Sequence, residues 1–179
     1  MHPTPTVPEL TLHILLQHNA WATRRILEGC SSLTEEQFHQ RFDIGPGSLH
    51  DTLRHIIGAM LRWSDRISGD TLRPSPESDP RRRTVAELLE MLEEAHRSLT
   101  AVAEAIGDGG LEVEMTTRFG NGPELRFSKA AALVHATTHG MHHRAQALNM
   151  LRRLGHGGLV DQIDAIDWAL EFEQRAEQP

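Results

Sequence analysis

The run V-H-A-T-T-H-G-M-H-H-R-A-Q, Val134 to Gln146, carries His135, His139, His142 and His143, four imidazoles within nine residues. It lies in a stretch read as one helix, Lys129 to Leu154, capped by Ser128 and ended by Gly155. An α-helix has about 3.6 residues per turn, so residues four apart share a face. His139 and His143 therefore stack one turn apart and can offer two nitrogens to one ion without backbone distortion. His135 and His139 have the same spacing, and geometry alone leaves the two pairs in competition. Neutral imidazole is the commonest protein ligand for borderline transition metals. Either pair needs a third ligand from elsewhere in the chain.

Outward from that helix, helical patterns dominate. From Glu9 to Gly29, Leu12, Leu15, Leu16, Ala20, Trp21, Ala22, Ile26 and Leu27 recur at three- and four-residue steps, with Pro8 suited to a first turn. A short turn of helix is expected over Thr34 to His39, because Thr34 and Gln37 stand in the capping-box relation. Gly45, Pro46 and Gly47 break the chain before Ser48 caps a second long helix. Its apolar positions Leu49, Leu53, Ile56, Ile57, Met60, Leu61, Trp63 and Ile67 run to Gly69. Asp70 to Arg83, with three prolines, reads as a crossing loop. A third long helix starts at Thr84, paired with Glu87, and runs to Gly107.

Between Leu111 and Phe127, apolar and acidic residues alternate around Asn121-Gly122, the pattern of a small β-hairpin, with a long irregular loop as the alternative. After the histidine helix, a last helix over Leu159 to Arg175 places Ile163, Ile166, Ala169 and Leu170 on one face, with Trp168 beside it. The expected fold is all-α: one domain over 1–179, a four-helix bundle with a short extra C-terminal helix.

Composition excludes several functions. A net charge of −7 with histidine neutral opposes binding to nucleic acid or to an anionic membrane. Arg81, Arg82 and Arg83 beside prolines read as a solvated loop. The single cysteine, Cys30, excludes an intramolecular disulfide and is expected to be buried. The opening residues lack the basic and apolar regions of a signal peptide, and no apolar run approaches the roughly 20 residues of a membrane span. A cytoplasmic protein is expected. There is no G-x4-G-K-S/T run for a nucleotide and no H-E-x-x-H for a zincin.

Bundle metal sites take ligands from side chains projecting inward on facing helices. His55, flanked by Leu53, Ile56 and Ile57, is the best-placed third candidate. His50, beside Asp51 near a helix start, is expected to meet solvent. His13, His18 and His96 suit polar edges.

Nearly the whole chain resembles the DinB/YfiT-like family of metal-dependent bundle proteins. His18 to Thr23, H-N-A-W-A-T, is similar to the family's helix-one signature. The segment L-T-E-E-Q-F at Leu33 to Phe38 looks like the family's next one. S-L-H-D-T-L-R-H-I, Ser48 to Ile56, with Trp63 downstream, resembles the helix that supplies the first metal-binding histidine, at His55. His135 to Gln146 resembles the element in which a histidine pair four apart precedes arginine, glycine and glutamine. The resemblance thus implies His55, His139 and His143 as ligands and chooses between the competing pairs. Ala145 replaces the usual glycine, Met60 stands where many members carry glutamate, and His18 occupies the tyrosine position, but no ligand is lost.

The resemblance implies a divalent cation (Zn, Ni, Fe, Mn or Co) at one end of the bundle, usually in a homodimer. Three histidines and an open position are a catalytic rather than a structural arrangement. In characterised relatives such a site activates a low-molecular-weight thiol for S-transfer to a small-molecule substrate, in stress or detoxification chemistry. Other relatives look like metal-dependent hydrolases or non-enzymatic metal-binding stress modules. Asn19 and His142 are candidates to hydrogen-bond a ligand or a bound thiol, and Arg144 to hold a substrate carboxylate. Arg144 and Gln146 could equally tie their helix to its neighbours.

Overall fold

The capping residues legible in the sequence open four of the helices in the computed structural model, which describes residues 7–160 and 162–176. Helix α1 spans Val7–Cys30, α2 Glu35–His39, α3 Leu49–Ser68 and α4 Val85–Gly110. Strands β1, Glu114–Arg118, and β2, Glu124–Ser128, precede α5, Lys129–Arg153, and α6, Ala165–Ala176. Thr34 and Thr84 each form a complete capping box, with Gln37 and Glu87. Ser48 and Ser128 accept from the backbone N–H three residues on. Each such cap satisfies donors that a helix start would otherwise leave unpaired, a contribution of about 1 kcal/mol.

Apolar stripes on the four long helices decide the packing. Helix α3 lies against α4 and α5, and α1 lies against the same two from the opposite side. Ile26 and Leu27 of α1, Leu53, Ile56 and Ile57 of α3, Leu88 and Leu92 of α4, and Leu133 and Met150 of α5 are fully buried between them. Cys30 is buried at the end of α1, and burial pushes its thiol up to about 12.

The hairpin forms as expected. Strands β1 and β2 pair antiparallel, with Met115 opposite Phe127 and the turn closed by the Gly122 N–H on the Phe119 carbonyl. Helical geometry is interrupted at Gly107, the expected stop, where φ is +57°, and a further turn carries α4 to Gly110.

The C-terminal region departs from expectation in two ways. Residues Gly157–Leu159 form only a 3-10 turn, and α6 starts at Ala165. The local reason is a cap: Asp167 accepts the Asp164 N–H, and the first helical bond runs from Trp168 N–H to the Asp164 carbonyl. The buried face of α6 belongs to Trp168, while Ile166 and Leu170 are 73% and 50% exposed. The helix lies against α1, where His18 Nε2–H donates to the Ile163 carbonyl at 2.8 Å.

Candidate metal centre

Three imidazoles from two antiparallel helices converge on one side of the bundle. Helix α5 presents His139 and His143 one turn apart, and α3 brings His55 across to them. The ring centroids lie 4.9 Å apart for His55–His139, 4.4 Å for His55–His143 and 4.5 Å for His139–His143. Their candidate ligand atoms all fall within 4.8 Å of one another, so this group could hold a metal ion. The Nε2 atoms of His55 and His139 are 3.2 Å apart. Metal–nitrogen bonds of 2.0–2.1 Å in a tetrahedron require nitrogen–nitrogen edges of about 3.3–3.4 Å. That pair already has ligand spacing.

The outer nitrogens of two rings are anchored. His55 Nδ1–H donates to the carboxylate of Glu77. His143 Nδ1–H donates to Gln146 Oε1 at 2.8 Å. An imidazole whose Nδ1 carries the proton has its lone pair on Nε2, so these contacts select the ligating tautomer and fix the ring. His139 has no such anchor: its Nδ1 is buried and unpaired among the described residues. Burial first, then the neighbouring imidazoles His143, His55, His135 and His142, hold its pKa down at about 3. It is therefore the neutral, ligand form at physiological pH.

Glu77 was not legible as a site residue. It stands in the 3-10 turn Pro76–Ser78, inside the crossing loop, with no periodic relation to any histidine. What brings it in is Gly58, one turn along α3 from His55. A Cβ there would lie 3.1 Å from Pro76 Cδ, so the absence of a side chain lets the turn seat against the helix. Gln146, expected at most to tie its helix to a neighbour, instead serves the cluster. It bridges two histidines, its amide N–H also donating to His142 Nε2 at 3.1 Å.

The remaining candidates take other positions. His142 is exposed and reaches His143 through Gln146. Arg144 is 3% exposed and faces α1, where it donates to Asn19 Oδ1 at 2.6 Å and to Thr23 Oγ1 at 3.3 Å. Burial lowers its pKa to about 10, which leaves it charged. Asn19 is thereby occupied as an acceptor between α1 and α5. Gly140 permits this approach, since a Cβ at that position would run into Asn19 Oδ1. The ring of His135 packs on Trp63 at 5.0 Å and lies 5.6 Å from His139. His50, expected to face solvent, is 2% exposed. Its Nδ1–H donates to Asp51, its Nε2 accepts from the Arg83 backbone, and Phe38 of α2 covers its ring.

Among the described residues, no helix is long and apolar enough to cross a membrane. No curated protein matches the chain. The family model described as DinB family matches residues 8–176.

Proposed function

From the premise that the chain belongs to the DinB family, we propose that His55, His139 and His143 bind one divalent cation and that the protein is a metal-dependent thiol S-transferase. The observation that carries this reading is the tautomer lock on the ligands. Glu77 and Gln146 hold the Nδ1 protons of His55 and His143, leaving both Nε2 lone pairs for an ion. The donor set fits a borderline cation such as Zn, Ni, Fe, Mn or Co, because neutral imidazoles bind all of these. Three protein ligands leave a position open for an exogenous group.

When bound, the cation lowers the pKa of a coordinated thiol or water and so supplies a nucleophile at neutral pH. The chain's own residues prepare that position. Glu77 and Gln146 orient two rings, and packing by His135 and Trp63 confines the third. Thiol chemistry is the reading we favour over hydrolysis because Glu77, the carboxylate that reaches the cluster, is committed through Oε1 to orienting the His55 ring. We further propose a cytoplasmic homodimer formed through α1 and α5, where Leu10, Val134 and Met141 expose apolar side chains.

The test is conjugation of a model electrophile with a panel of low-molecular-weight thiols by the metal-loaded protein, with p-nitrophenyl esters assayed in parallel. Metal-dependent conjugation that is lost in His139→Ala supports the reading. Ester hydrolysis without conjugation would make the protein a hydrolase. Metal binding with neither activity would make it a binding module in a stress response.

A further inference from the structure

Arg66 is a partly buried cation that forms no ion pair within 4.0 Å among the described residues. Its Nε donates to Thr117 Oγ1 at 3.2 Å and its Nη1 to the Arg62 carbonyl at 3.1 Å. Among the described residues, Nη2 meets no acceptor. The contrast within the same region is sharp: Arg54, Arg73 and Arg83 each pair with an aspartate. The guanidinium of Arg66 instead lies over two rings, 5.3 Å from the centre of Trp63 and 5.2 Å from that of Phe119. Such a cation–π seat orients the planar fork without neutralising it. Burial and the adjacent Arg62 cation also hold its pKa below the ordinary arginine value, Asp65 opposing them, so the site is short of negative charge.

Its position connects it to the imidazole cluster. His55, Ala59, Arg62 and Arg66 follow one another at steps of four, three and four residues, which places them on one face of α3. From His139 the rings of His135 and Trp63 form a continuous wall that ends at Arg66. His55 and Arg66 are eleven residues apart, about 16 Å along the helix axis at 1.5 Å per residue. Helical side chains all lean toward the N-terminus, so Arg66 and His55 tilt in the same direction and the span stays at about 16 Å.

We propose that Arg66, seated on Trp63 and Phe119, is an anion-binding subsite that selects elongated ligands with a terminal carboxylate, an apolar middle and a reactive end at the imidazole cluster. The assignment of the reactive end rests on the metal-binding reading above; the carboxylate subsite does not. A planar fork with free N–H groups matches a carboxylate in bidentate geometry. Beside it the exposed ring of Phe119, edge-to-face with the buried Trp63, offers apolar contact to methylene or aromatic groups.

The experiment compares 8-mercaptooctanoate with 8-mercaptooctanol, molecules of one length that differ in the terminal group, by calorimetric titration of zinc-loaded and chelator-treated protein. The expected result is acid bound about tenfold more tightly than alcohol, as for one charge-assisted contact. Both should weaken on metal removal while the preference for the acid remains. Arg66→Met and Arg66→Gln should bind acid and alcohol alike, at the wild-type alcohol affinity, and Arg66→Lys should keep part of the preference. The glutamine variant keeps a polar stem if the methionine variant fails to fold. A role confined to pinning the hairpin would leave wild type binding the two probes equally, and that result overturns the proposal. So does an acid preference that survives in the folded glutamine variant. If zinc fails to bind at all, the metal reading falls, and the preference of the metal-free protein still decides the role of Arg66.

Discussion

Glu77, at a loop position 22 residues further along the chain, accepts a hydrogen bond from His55 Nδ1–H. Carboxylate, imidazole and an Nε2 lone pair aimed at a shared point make a chain in which the carboxylate sets both the tautomer and the basicity of the ligand. Replacing Glu77 by alanine removes the anchor without touching a ligand. Metal affinity is expected to fall about 10–100-fold, read by competition with a chromogenic chelator, while the thermal unfolding of the metal-free protein barely changes. Unaltered affinity in Glu77→Ala would show that the contact has no part in holding the ring.

Arg144 offers the opposite case, a charged residue beside a ligand in sequence but aimed away from the cluster. Arg144→Met should strand Asn19 between α1 and α5 and destabilise the fold by about 2–3 kcal/mol. Metal stoichiometry should stay at the wild-type value. Urea denaturation and metal analysis of the same preparation separate these effects. Stability at the wild-type level together with lost substrate binding would instead make Arg144 a substrate contact.

Acid should destabilise the metal-free protein well above the carboxylate range. Burial is the first cause holding the pKa values of His18, His39, His50, His96, His139 and His143 below the ordinary imidazole value of about 6.5. Their folded values are depressed, so the unfolded chain binds more protons as pH falls through about 6.5, and stability rises with pH across that window. It should level off above about pH 7.5. The urea midpoint at pH 5.0 should therefore lie clearly below that at pH 7.5. Equal midpoints would mean that these imidazoles titrate as freely in the fold as out of it.

On α5, Val134 and Met141 are 48% and 59% exposed and lie seven residues apart, two turns along one face. If that face closes a homodimer, Met141→Glu places a charge in an apolar contact and should shift sedimentation from dimer to monomer at micromolar concentration. A monomeric wild type would contradict the dimer.

The four long helices, and the starts of three of them, were legible because each depends on local chemistry: Ser48, Thr84 and Ser128 cap through the next three residues, and stripes such as Leu53–Ile56–Ile57 declare a buried face. His55, His139 and His143 were legible through spacing, an apolar neighbourhood and the family resemblance together. Glu77 was not, because its approach depends on the seating of Pro76 against Gly58, a tertiary contact with no periodic signal. The start of α6 was missed for a related reason. Ile163 stands in helical step with Ile166 and Leu170 and so extended the pattern, while the cap at Asp164 and Asp167 set the boundary. His50 looked solvated beside Asp51 because nothing in the local sequence announces that Phe38 and the Arg83 backbone cover it.

Metal content tests the central claim most directly. Tag-free protein, loaded with a divalent cation and desalted, should carry about one ion per chain, as a three-histidine site requires. His55→Ala, His139→Ala and His143→Ala should each lose most of that ion, and His135→Ala should keep it. Wild-type occupancy in all three ligand variants would contradict the account.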